Sequence, residues 1–248
     1  MLFDQPRLLT VSAILASALL IAGCSSSDDD PAPAPDPTPA PPATTTFEVT
    51  VSNLTNAQPL SPVAIIAHRD GYAVFTVGAP ATVGLETLAE GGDNAALIGE
   101  ADADALVLAT ASGMAPIGPA ASEAITFEVL ESELPGLLLS TSTMLVNTND
   151  AITGSNSVTI GDMAIGDVIS LRTIAYDSGT EANTELAIHI PGPAGGGEGF
   201  NAVRDDLADR VTMHTGVVSR DDGFAMSDLT DQHRFDNSVA AFRIERIN

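Results

Sequence analysis

Between positions 47 and 247 the chain is cut into strand-length apolar runs, each stopped by a cluster of Asn, Asp, Ser, Thr, Gly or Pro. Phe47, Val49 and Val51 alternate with Glu48, Thr50 and Ser52, the two-residue period of a strand with one covered face. Val63-Ala64-Ile65-Ile66-Ala67-His68 is continuously apolar and fits a strand covered on both faces. Arg69-Asp70-Gly71 is a turn signal, and residues 72–77 are expected to return as a partner strand. Further strands are predicted over 124–130, 137–146, 157–160, 168–176, 186–190, 210–214 and 238–247. In the last of these Ala240, Phe242 and Ile244 alternate with Ala241, Arg243 and Glu245. Many short strands divided by turns, with few helices, predict an all-β fold, an antiparallel β-sandwich. The region 79–112 differs. Thr82 can cap a helix carrying Val83, Leu85, Leu88 and Ala89, and 94–101 fits a second, so one or two short helices are expected as an insertion.

The sandwich has to stand on its core alone, because Cys24 is the single cysteine and no internal disulfide is possible. Arg7 precedes an apolar run over 8–22 that ends in Ile21-Ala22-Gly23-Cys24. This is the pattern of a bacterial lipoprotein signal peptide over 1–23, with Cys24 as the lipidated mature N-terminus. The run is shorter than the roughly 20 residues of a spanning helix, so a lipid tether at the membrane is expected rather than a span. Residues 24–46 join Ser and Asp to alternating Pro and Ala and three Thr, a spacer with no core-forming residues, and the folded domain is expected over 47–248. Ser25 after the cysteine, in place of Asp, points to an extracytoplasmic lipoprotein of the outer membrane in a two-membrane host.

Net charge is −24, with 33 acidic residues against nine Arg and no Lys, a balance that repels nucleic acid and anionic headgroups. Solubility and a salty habitat account for much of it, whereas a metal site needs only a few carboxylates. Those few stand out where two strands end. One apolar run stops in Asn147-Thr148-Asn149-Asp150, another in Tyr176-Asp177-Ser178-Gly179-Thr180-Glu181. If both loops meet at one end of a sheet, Asp150, Asp177 and Glu181 offer a hard cation such as Ca²⁺ its oxygen ligands. The alternative is that these aspartates fasten turns, accepting from backbone N–H groups two residues on.

His189 and His214 both stand at predicted strand ends and form a possible secondary polar or metal site, with hydrogen-bonded loop histidines as the plainer alternative. His68 and His233 carry no motif. Gly154-Ser155-Asn156-Ser157 lacks the second Gly of a nucleophile elbow, and the loop 191–199 misses both phosphate-binding glycine patterns. Asp102-Ala103-Asp104 opens like a helix-loop-helix calcium loop, but Val107 stands where Gly is required. No Trp and only two Tyr leave few platforms for sugars. No feature demands catalysis, and the chain is read as a non-enzyme; a metal-dependent hydrolase would need an open metal between His189 and His214.

Four stretches resemble the spondin N-terminal domain family, the module of F-spondin, mindin and many bacterial secreted proteins. They are 47–56 with Ser61-Pro62, Asn149-Asp150-Ala151-Ile152-Thr153-Gly154, the 176–181 loop against the family's Tyr-Asp-Ala-Gly-Thr-Asp, and the closing strand 239–244. The resemblance spans nearly all of 47–248, with little matched between 79 and 119. It implies a sandwich similar to a C2 domain, with Ca²⁺ held near one end by acidic residues. Asp150 and Asp177 fall on matched positions, and Glu181 stands where animal members usually have Asp. Ala151 replaces the tryptophan of the animal loop, and the animal cysteines are missing. The implied role is adhesion or interaction with an extracytoplasmic protein or matrix ligand; the competing role is a structural envelope lipoprotein without a specific metal.

Overall fold

The alternating run at the start of the domain becomes β1 (Thr44–Asn53), in which Phe47, Val49 and Val51 are fully buried. The computed structural model describes residues 40–236 and 238–248, so Cys24, the signal-peptide boundaries 1–23 and most of the 24–46 spacer lie outside the described residues. After β1 come β2 (Ala64–His68), α1 (Val83–Gly91), α2 (Ala95–Asp102), β3 (Val107–Ser112), β4 (Ser122–Leu130), β5 (Leu138–Met144) and β6 (Ala151–Thr159). β7 (Val168–Thr173), β8 (Ala175–Asp177), β9 (Thr212–Met213) and β10 (Ala240–Arg246) complete the order. A four-stranded sheet, β4-β1-β10-β7, faces a six-stranded sheet, β3-β2-β5-β6-β8-β9, and all pairings are antiparallel. The fold is the all-β sandwich with a small helical insertion that the strand pattern predicts. No helix among the described residues is long and apolar enough to cross a membrane.

β2 is buried along its whole length because it separates two apolar clusters. Ile65 and Ala67 join Phe47, Val49, Phe127, Leu139 and Phe242 between the sheets. Ala64 and Ile66 face the other way, under Leu85, Leu88, Ala89 and Leu97 of the two helices. Burying a side chain the size of Leu or Ile contributes roughly 1.5–3 kcal/mol, so this second cluster is what fixes the helical insertion to the sheet. Thr82 caps α1 by accepting from Leu85 N–H, and Gly92, at φ +71°, ends it.

Several predicted strands take other forms. Residues 72–77 do not pair with β2, whose two edges are filled by β3 and β5. Instead Val74 N–H donates to Asn156 Oδ1, Asn156 Nδ2 donates to Phe75 O, and both apolar side chains plug the helix-side cluster. β3 escapes the sequence pattern because its Ala-rich, evenly half-buried run carries no period. Residues 186–190 form a short 3-10 turn, Ala187–His189, in place of a strand. The single run 168–176 divides at Ile174, with β7 in one sheet and β8 in the other.

Candidate metal centre

The pairing of β6 with β8 sets Ala151 opposite Asp177, which brings Asp150 and the 178–181 loop together at one end of the six-stranded sheet. Asp150 is fully buried. Its Oδ2 accepts from Ser178 Oγ (2.8 Å), Thr180 N–H (2.9 Å), Glu181 N–H (3.1 Å) and, at longer range, Thr180 Oγ1 (3.3 Å). Its Oδ1 is buried with no partner. Burial first, and then the Asp177 charge, push the Asp150 carboxyl well above the usual carboxylate range, against the pull of its donors.

Asp177 is fastened at both oxygens: Oδ1 accepts from Gly179 N–H (2.8 Å) and Oδ2 from Asn183 Nδ2 (2.6 Å). The first is the Asx turn expected of an aspartate in this position. It needs Gly179, which sits at φ +73° and whose Cβ, if present, would lie 2.3 Å from Arg210 O. Glu181 is half-buried, and its carboxyl is pushed up to about 8 by burial, then by Glu90, Asp150 and Asp205. Fully ionised, the loop cluster would carry more negative charge than its surroundings offset, which is why burial and the neighbouring acids favour a bound proton here.

Two acidic residues that the sequence reading missed come from α1. Glu86 and Glu90, one helical turn apart, are both buried. Glu86 Oε2 pairs with Arg204 at 2.7 Å, and Arg204 also holds Asp209 at 2.6 Å. Glu90 Oε2 accepts from Asn201 N–H (2.8 Å), its Oε1 is buried without a partner, and burial raises its pKa. Like charges at i and i+4 on a helix face repel. Their position beside the apolar stripe was the available signal that this face meets something other than solvent.

Among the described residues, the three-ligand group whose donor atoms all lie within 4.8 Å of one another is Glu181, His189 and Glu198. Glu181 thus belongs both to the 178–181 loop beside Asp150 and to a second neighbourhood, while the Asp150, Asp177 and Glu181 oxygens do not all meet within that distance. His189 lies on the 3-10 turn, with Nδ1 2.9 Å from Thr184 Oγ1. His214 does not join it. Its Nδ1 accepts from Gly216 N–H (2.9 Å), its Nε2 is buried without a partner, and its ring lies 5.1 Å from that of Phe235 beside a cleft of about 320 Å³. Burial lowers the His214 pKa, with the Asp177 charge opposing. His68 is a satisfied core histidine, bonded to Arg69 O and Ser140 Oγ at 2.7 Å each.

No family model matches the chain, and no curated protein matches it.

Proposed function

We propose that this chain is a lipid-anchored, extracytoplasmic β-sandwich module, similar to a spondin N-terminal domain, that holds a divalent cation at the Asp150, Asp177 and Glu181 loops. Calcium is the proposed ion and adhesion or protein interaction the proposed role. The observation that carries this reading is Asp150: a carboxylate buried beside a second acid, with one oxygen bound by several donors and the other, Oδ1, by none. A buried acceptor without a partner is unfavourable, and a hard cation satisfies it while offsetting the charge of Asp177 and Glu181. All three are carboxylates, the ligand class Ca²⁺ takes, and because their oxygens do not all lie within 4.8 Å of one another the two loops would draw together on the ion as it binds. The ion would fix loops that otherwise repel one another and present them as a surface to a partner. The Ile21-Ala22-Gly23-Cys24 pattern supports a lipid tether, Ser25 after it supports the outer membrane of a two-membrane host, and the net charge of −24 disfavours nucleic acid.

Calorimetric titration of Ca²⁺ into the chelator-treated full-length chain tests this beside an Asp150→Asn, Asp177→Asn double variant. Saturable binding that the variant loses is the expected result. A wild-type protein that takes up no Ca²⁺ at millimolar concentration would leave the structural envelope lipoprotein, whose acidic loops only fasten turns.

A further inference from the structure

We propose that Glu181, His189 and Glu198 form a second cation site, selective for a divalent first-row transition ion of the zinc class. The site goes beyond the calcium reading; it shares Glu181 with that reading but does not require calcium to bind. The donor set differs in kind from the Asp150 and Asp177 loops, because an imidazole among carboxylates shifts preference from Ca²⁺ towards zinc-class ions. All three donor atoms lie within 4.8 Å of one another, the spread of ligands around a single ion.

The backbone holds these side chains together from both sides. Gly197 N–H donates to Ile190 O (2.8 Å) and Glu198 N–H to Ile188 O (2.9 Å), so the glycine loop folds back on the turn that carries His189. A Cβ on Gly197 would lie 2.3 Å from Ala187 O and from Ile188 O, so only glycine permits this approach. Downstream, Asn201 N–H is tied to Glu90 on α1 (2.8 Å). His189 Nδ1 lies 2.9 Å from Thr184 Oγ1, a contact that orients the ring; with metal bound at Nε2, Nδ1 carries the proton and donates there.

The charge around Glu181 also favours a cation, because the buried carboxylates Glu90 and Asp150 both act on it. Arg204, whose charge acts on Glu90, is paired with Glu86 and Asp209. Three protein ligands would leave a fourth position for water, and Glu198 is exposed.

Titration of Co²⁺ into the chelator-treated full-length chain, read by its visible d–d absorption and followed by Zn²⁺ competition, tests the proposal. One equivalent of Co²⁺ displaced by Zn²⁺ is expected in the wild type. His189→Ala and Glu198→Gln should each weaken binding by about tenfold or more, and Thr184→Val by about tenfold through loss of ring orientation. Asp177→Asn should leave Co²⁺ binding intact while Ca²⁺ binding falls, which separates this site from the calcium reading. His189→Gln, melting as the wild type does, controls for folding. Co²⁺ affinity unchanged in His189→Ala and His189→Gln, or no Co²⁺ uptake by the wild type, would overturn the proposal.

Discussion

Asp150→Asn separates a ligand from a turn fastener, because the substitution preserves one role and removes the other. The amide oxygen can still accept from Ser178 Oγ–H, Thr180 N–H and Glu181 N–H, the donors that Oδ2 gathers. The amide nitrogen takes the place of the unpartnered Oδ1 and carries no charge. In chelator, the variant exchanges an unpartnered oxygen for an unpartnered amide N–H₂ but loses a buried charge and its repulsion from Asp177; with the charge the larger cost, it should be more stable than wild type by about 1–3 kcal/mol. For a folded unit of this size, about 1 kcal/mol moves the melting temperature by roughly 2–4 °C. With Ca²⁺ at about a hundredfold excess over Kd, the wild type should gain about 2.7 kcal/mol, and the variant almost none. The signature is therefore a reversal: the variant melts higher in chelator, and its advantage closes or inverts in Ca²⁺. Differential scanning calorimetry on the full-length chain reads both arms. A variant that melts below wild type in chelator and keeps the full Ca²⁺ shift would show that Asp150 only fastens the loop, and the reasoning from Oδ1 would fail.

The metal-free protein should lose stability as pH rises. The folded-state pKa values of Glu181, about 8, and Glu185, about 7, both lie above the unfolded carboxylate range, so their contribution is complete below about pH 4 and is lost as pH climbs through 7 and 8. Melting temperature in chelator should fall between about pH 5 and pH 8.5 and be restored by Ca²⁺, which replaces the protons; a flat profile in chelator would contradict these shifts. Glu185→Gln keeps an acceptor for Val218 N–H and should remove part of that slope without altering Ca²⁺ binding measured by calorimetry. Arg204→Met strands the buried Glu86 carboxylate and should cost about 3 kcal/mol in urea denaturation, with the Glu86→Gln, Arg204→Met double variant recovering part of it. Gly179→Ala forces a Cβ against the Arg210 backbone at positive φ and should cost about 2 kcal/mol or more by the same assay, with Ca²⁺ affinity reduced because Gly179 N–H positions Asp177.

The parts of the fold that were legible in the sequence are those where one residue period meets one environment. β1 and β10 alternate because each has one face on the core, and their buried residues Val51 and Phe242 are register partners. β2 was legible as a covered strand because apolar residues on both of its faces leave no alternation to find. The run 168–176 was not divisible by inspection. A period of two persists through a change of sheet, and the corner at Thr173 and Ile174 is held by contacts far away in sequence, Thr153 Oγ1 to Thr173 Oγ1 (2.7 Å) and to Ile174 O (2.9 Å). The candidate site divides along the same line. Asp150 and Asp177 announce themselves because strands that end in Asn, Asp, Thr and Gly mark turns. Glu90 and Glu198 are delivered by packing: one by a helix laid across the sheet, the other by a glycine loop folded onto a 3-10 turn. Turn chemistry also explains why two readings of Asp150 compete at all. The same carboxylate that organises a loop through one oxygen is placed, by that organisation, with its other oxygen out of reach of any backbone donor. Fastening the turn and holding the proposed cation would then both draw on one geometry, and only a substitution that treats the two oxygens differently can tell them apart.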